Sequence, residues 1–323
     1  MLSLISKRPL SHNEMFFVPT STAQEVFLIK TADRNLGVKA LMSRFDLSDF
    51  SDKKVAIKAN FNSADPFPAS THTDTLRAVV EALQAANVAG VTLGERSGMG
   101  NTRRVLEARG VFDLSKKLGF EVVVLDELTK DEWVKTDSQG THWLRGFYIA
   151  KLFAEADRVV QTCCLKAHRF GGHFTMSLKN SVGLVAKKVP GSFYDYMWEL
   201  HSSPNQRKMI AEINSHYKAD LIVMDGIKAF VDGGPEQGKT VEPNLMLASV
   251  DRVAIDAVGV AILRSYGSAS HIMNGKIFGL DQIRRACELE IGVKSVAEVH
   301  VTPVNKESEE AANQITVVLD REG

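Results

Sequence analysis

Short apolar runs rich in β-branched residues recur along the chain, and most are separated by segments with helical periodicity. The runs are Glu25–Lys30, Val55–Asn60, Val91–Glu95, Glu121–Leu125, Val159–Leu165, Leu221–Asp225 and Leu245–Val250. Between them, Thr73–Asn87 opens on a Thr/Asp cap and carries Leu76, Val79, Val80 and Leu83 on one face. Asn101–Arg109, Arg207–Tyr217, Val253–Ser265 and Asp281–Glu290 read as further helices. Strand–helix–strand alternation with short connections predicts an α/β fold with a mostly parallel sheet covered by helices on both faces, a Rossmann-like three-layer architecture. The polar stretch from Thr129 to Tyr148, with Trp133 and Trp143, predicts a small β insertion or second lobe. We expect one α/β domain over residues 1–323, with 129–157 as the alternative dividing line between two lobes. Near the C-terminus, Val299 and Val301 alternate with polar neighbours up to Pro303, and Ile315–Leu319 is a second β-rich run. Together they predict an edge hairpin within 299–323, where a strand-end proline is tolerable.

Lys+Arg and Asp+Glu are each 39, so the formal net charge is zero. That balance argues against a nucleic-acid partner and against steering to an anionic membrane. The cysteines Cys163, Cys164 and Cys287 form neither a disulfide framework nor a C-x-x-C knuckle. No window reaches transmembrane length, and the N-terminal segment lacks a long apolar region and cleavage site. A cytoplasmic protein is expected.

The chemistry-bearing residues gather at strand ends. Lys58 and Asn60 close one strand, Glu95 and Arg96 the next, Lys166 and His168 a third, and Asp225 a fourth. If those strands run parallel, the groups crowd one rim of the sheet, where open α/β sheets bind ligands. After His168 come a Gly-Gly pair, His173, and Lys179-Asn180 ahead of another apolar run. Lysines in such apolar company are costly to bury without an anion or an acidic partner. The expected function is therefore an enzyme acting on a small anionic substrate. Lys58, Lys166 and Lys179 supply positive potential, His168 acts as general acid/base with Lys166 and Lys179, and Asn60, Asn180 and Glu95 orient the ligand. The alternative is a metal- or cofactor-binding carrier without turnover, with a divalent metal held by His168, His201, Asp225 and Asp256. For Asp225 and Asp256, pairing with the lysines is the expected role ahead of metal binding.

Gly233-Gly-Pro-Glu-Gln-Gly238-Lys239-Thr240 matches the phosphate-loop pattern literally. The pattern needs a helix leading out of the loop, and here Pro243 and a strand-like run follow. We read it as a Gly/Pro-rich loop beside the site, with Gly234 and Gly238 near the ligand. Gly94-Glu-Arg-Ser-Gly98-Met-Gly100 lacks the dinucleotide spacing and is either a plain turn or a ligand contact.

Ala156-Asp157, Lys166-Ala-His168 and Lys179-Asn180-Ser-Val-Gly183 together resemble the pattern of the domain of unknown function 362 family. Lys58-Ala-Asn60, Thr73-Asp74, Asp225-Gly226, Gly234-Pro235 and Ala254-Ile-Asp256-Ala-Val-Gly259 support the resemblance from about Phe27 to the late helix. Many members carry a ferredoxin-type extension, which needs clustered cysteines. This chain has no such cluster, so no iron–sulfur centre is expected. The chain is also similar, more faintly, to nickel-pincer lactate racemases. That similarity makes His168, Lys179 and His201 counterparts of their cofactor-holding and metal-binding residues. Phe61-Asn-Ser-Ala-Asp65-Pro66 stands where those enzymes carry an Asp/Thr/Arg/Pro signature.

Overall fold

The computed structural model describes residues 23–323, so the N-terminal segment and His12 lie outside the described residues. The first half of the chain alternates β1 (Gln24–Lys30), α1 (Arg34–Met42), β2 (Lys54–Lys58), α2 (Thr73–Ala85) and β3 (Gly90–Glu95). It continues through α3 (Thr102–Ala108), α4 (Val111–Leu118) and β4 (Glu121–Val124) to a small antiparallel pair, β5 (Trp133–Lys135) with β6 (Tyr148–Ala150). This pair is the β insertion that the Trp-bearing polar stretch predicts. After α5 (Lys151–Ala154) come β7 (Arg158–His168), β8 (His173–Thr175), α6 (Ser177–Asn180), α7 (Tyr196–Ser202) and α8 (Gln206–Ile213). The remainder is β9 (Leu221–Gly233), β10 (Gly238–Val241), β11 (Leu245–Ser249), α9 (Arg252–Ser265), α10 (Ser270–Met273), α11 (Asp281–Glu288), β12 (Val299–Pro303) and α12 (Glu309–Glu322).

The sheet runs β12-β1-β11-β9-β7-β2-β3-β4, with β8 and β10 folded back onto β7 and β9. From β9 to β4 every pairing is parallel, and β11 is the strand that runs against its neighbours. Period-two alternation feeds both faces. On β7, Val159, Cys163, Leu165 and Ala167 face one core, and Val160 faces the other. On β9, Ile222 and Met224 face the first, Leu221 and Val223 the second. Residues of α8, α9, α11 and α12 fill the first core, and those of α1, α2 and α4 fill the second. The result is the predicted three-layer α/β architecture.

One feature of this topology positions the site. The chain steps outward from β2 to β3 to β4, then returns to place β7 on the other side of β2. Strand order therefore reverses between β2 and β7, and the loops leaving the two strands diverge. Such a switch point opens a crevice beyond the strand carboxyl ends.

Several local expectations are corrected. The run read as ending at Asp225 continues as strand to Gly233, with a register irregularity opposite Cys164/Lys166. Asp225 is thus inside a strand, not at its end. The Gly233–Thr240 segment is the turn of the β9–β10 hairpin, with Gly233 paired to Gly238, and no helix leaves it. Val299–Pro303 is an edge strand, but its partner is β1, in parallel register. Ile315–Leu319 is helical, so the predicted 299–323 hairpin does not form. The β-branched Thr316-Val317-Val318 favoured a strand, yet the buried positions are Ala312, Ile315 and Leu319, which is helical spacing. Tertiary burial of that stripe overrides local propensity.

This assignment can be checked directly. In a strand, residues 315, 317 and 319 would share a face, but here Ile315 is buried and Val317 is 61% exposed. Ile315→Ala should cost about 2–4 kcal/mol in urea unfolding, and Val317→Ala less than about 0.5 kcal/mol. Equal costs would argue for the strand.

Candidate functional site

Beyond the ends of β2, β3 and β7 lies a cavity of about 580 Å³. Its walls include Lys58, Asn60, Glu95, Arg96, Lys166, His168, Lys179 and Asn180, so residues of three strand ends and α6 converge as predicted from sequence order. His201 also reaches it from α7.

The lysines differ in how their charge is met. Lys58 Nζ donates to Glu95 Oε1 at 2.7 Å and to Asn180 Oδ1 at 3.2 Å, with both charged side chains essentially sealed from water. Burial pushes Lys58 down and Glu95 up, and the partner's charge opposes each shift. Glu95 also accepts the main-chain N–H groups of Phe61 and Arg96, which ties the ends of β2 and β3 together. Lys166 Nζ has no carboxylate partner. It donates to Asn60 Oδ1 at 2.8 Å and to the carbonyls of Ala69 and Pro235, and burial lowers its pKa. Lys179 is half-buried, and its ammonium makes no hydrogen bond or ion pair among the described residues. Burial, then Lys166 and Arg96, bring it down to about 7. His168, buried and next to the same charges, is held well below its ordinary value by burial, Lys179 and Lys166, so it is neutral at neutral pH. His201 accepts from the Gln206 amide at 2.8 Å and is likewise lowered, to about 4.

Missing side-chain atoms make room for this arrangement. A Cβ on Gly183 would stand 2.6 Å from Lys58 Cε and 3.1 Å from Glu95 Oε1, so a glycine alone admits the buried pair beneath it. A Cβ on Gly172 would stand 2.5 Å from Lys179 Cε and 3.6 Å from His168 Nδ1. The lysine and the histidine therefore share the space over that glycine. The four-residue helix α6 that carries Lys179 and Asn180 is fixed from below. Asp256, on α9, accepts the N–H groups of Ser177 and Leu178 at 2.8 and 3.0 Å. Burial raises Asp256 to about 7.

Other expected site residues lie elsewhere. Asp225 accepts from Arg34 at 2.8 Å and Thr75 at 2.6 Å, and Asp256 is committed to α6, so neither lines the cavity nor pairs with Lys179. The four-residue metal set is therefore not assembled. No group of three or more His, Cys, Asp or Glu among the described residues is disposed to hold a metal. Gly234 is in the hairpin turn and Gly238 opens β10, and it is Pro235 between them that reaches the cavity. Of the glycine-rich turn after β3, Gly98 lines the cavity, where its Cβ would collide with Asn62 Oδ1. His142 and His216 are half-buried away from the cavity, with His142 against Glu212 and His216 against Phe147.

Sequence reasoning missed part of the wall. Arg96 donates to the Val182 carbonyl at 2.6 Å, yet its buried Nε has no partner, and neither has the buried hydroxyl of Thr175. Lys187, 3.6 Å from Asp126, adds another cation. Phe61, Met99, Phe170 and Met197 make the remaining wall largely apolar, with Phe170 half exposed. Arg96 is expected on this rim from its strand-end position beside Glu95, and what the sequence does not show is its unpartnered Nε. Lys187 and Met197 have no sequence signal, because they come from a loop and a helix with no strand-end context.

The family model described as a domain of unknown function (DUF362) matches residues 55–261, and the chain belongs to this family. A thylakoid-associated protein of Synechocystis is 28% identical over 197 residues, which are 60% of this chain and 57% of the relative. The chain thus spans little more than half the length of that relative. The lactate racemase apoprotein of Thermoanaerobacterium thermosaccharolyticum gives a TM-score of 0.42 at 20% identity, over 67% of this chain and 53% of that one. So distant a likeness carries no argument about this site. Among the described residues, no helix is long and apolar enough to cross a membrane.

Two outcomes follow from the charges and the glycines. An unfolded lysine titrates near 10.5, whereas Lys179 titrates at about 7, so between these values the unfolded chain holds more protons and stability rises with pH. The cost of charging Lys179 is complete below pH 7. Lys179→Met should therefore be more stable than the parent at pH 6, by about 2–3 kcal/mol allowing for water in the cavity, with the gap closing towards pH 10. Urea unfolding across pH reads this, and a variant less stable at pH 6 would mean that the ammonium has a partner. Gly183→Ala should cost about 1–3 kcal/mol by displacing the Lys58–Glu95 pair. Gly90→Ala, with no atom within 4 Å of the new methyl, should be close to neutral in the same assay.

Proposed function

We propose that the protein is an enzyme acting on a small anionic molecule bound in this cavity. The observation that carries the reading is the charge inventory of the wall. Lys58, Lys166, Lys179, Arg96 and Lys187 face a single lining carboxylate, Glu95, which Lys58 already neutralises. A surplus of partly desolvated cations is unfavourable unless an anion shares the cavity. Functional groups are commonly held at such a cost to stability.

The roles divide by environment. Lys166 and Arg96, held by Asn60 and by main-chain carbonyls, would bind a carboxylate or phosphate. Asn180, fixed by the carbonyls of Lys58 and Thr162 at 3.2 and 3.4 Å, would keep Lys58 in place. His168, neutral and beside Lys179, would accept and return a proton. The alternative of a metal carrier has less support, because the carboxylates it needs are engaged elsewhere. The zero net charge gives no reason to invoke nucleic acid or a membrane surface.

Isothermal titration with short carboxylates and phosphate esters tests the reading. Binding is expected for the anions and not for their uncharged amides. Lys166→Met should weaken it about 10- to 100-fold, the worth of one charged hydrogen bond. Equal affinity for anion and amide would sink the proposal.

A further inference from the structure

Four of the five cations on the cavity wall have an acceptor. Lys58 has Glu95, Lys166 has Asn60 and two main-chain carbonyls, Arg96 has the Val182 carbonyl, and Lys187 faces Asp126. Lys179 has none. Its stem packs over Gly172, the charges that act on it are those of Lys166 and Arg96 on the same wall, and His168 shares the space above the same glycine. An amine placed beside other cations, without a counter-ion and partly out of water, is arranged as a nucleophile and not as an anion clamp.

Building on the anion-site reading, we propose that Lys179 forms an imine with the carbonyl of a 2-oxo acid that carries an apolar side chain. The 2-oxo acid is favoured because its carbonyl adjoins its carboxylate, as Lys179 adjoins Lys166 and Arg96. The apolar side chain is favoured because Phe61, Met99, Phe170 and Met197 make up the rest of the wall. The Lys179 nitrogen attacks the carbonyl carbon, an N–C bond forms, and the carbonyl π electrons move to oxygen. His168 carries a proton from nitrogen to that oxygen, giving a carbinolamine. The C–O bond then breaks, and the oxygen leaves as water after His168 relays to it a second proton taken from solvent. The product is an iminium, with no change in oxidation state. Titration at about 7 leaves a substantial share of Lys179 as the free amine at neutral pH, and neutral His168 can accept the proton.

Reductive trapping tests this. The protein is incubated at neutral pH with 4-methyl-2-oxopentanoate and cyanoborohydride, and peptides are mapped by mass spectrometry. About one adduct per chain is expected, on Lys179 and not on exposed lysines such as Lys117. Lys179→Met and Lys179→Arg should both abolish it, so that failure of one variant to fold leaves the other as the control. Excess 2-hydroxy-4-methylpentanoate, which has the carboxylate but no carbonyl, should reduce labelling by about tenfold. Labelling confined to surface lysines, or unchanged in the variants, overturns the proposal. If calorimetry shows saturable binding of the hydroxy acid while Lys179 remains unlabelled by the oxo acid, the imine fails and the anion site stands. If neither acid binds, both fail.

Discussion

An ammonium out of water must find acceptors, and the architecture of this rim follows from how three lysines meet that demand. Lys58 is satisfied in full by Glu95, and the same carboxylate gathers the main-chain N–H groups of Phe61 and Arg96. That junction locks two neighbouring strand ends into one rigid floor. Lys166 is satisfied by neutral oxygens only, which hold it in place and leave its charge uncancelled. Lys179 is not satisfied by any partner among the described residues. The three lysines of a single cavity thus run from a closed ion pair to an amine with no partner among the described residues.

The expense is distributed by the scaffold. Two aspartates that sequence reading offered as metal ligands serve the frame instead. Asp256 ties α6 to α9, and Asp225 ties β9 to α1 and α2 through Arg34 and Thr75. Asp157 does similar work at the other end of β2, accepting the Lys54 N–H at 2.9 Å. Charged groups near a site are thus of two kinds here. Asp256, Asp225 and Asp157 fasten elements and are engaged by backbone or by Arg and Thr, whereas of the cavity cations Lys179 alone lacks an acceptor among the described residues.

Much of this was legible in the sequence, for a geometric reason. In a parallel sheet all strands end on the same rim, so Lys58, Asn60, Glu95, Lys166 and His168 could be brought together from strand positions alone. Lys179 and Asn180 could be added because they sit between a glycine pair and an apolar run. What could not be read was whatever depended on tertiary context. The apolar run Leu221–Asp225 predicts a strand end at Asp225, yet β9 continues through it to Gly233. Ile315–Leu319 was read by its β-branched residues, although burial of a helical stripe decides the matter. Lys187 and Met197 arrive on a loop and a short helix whose path no local pattern specifies.

The two glycines under the lysines also bear on how the site could change. At Gly172 and Gly183 the space a methyl group would take is already filled by Lys179, Lys58 and Glu95. A larger side chain at either position must displace a lysine, so change at these two glycines is coupled to the placement of Lys179 or of the Lys58–Glu95 pair. Variation in ligand shape must instead come from the mouth, where Met99 and Phe170 are partly exposed and can be exchanged for other side chains without disturbing a buried charge. A family built on this plan would keep one reactive floor and vary its clientele at the rim.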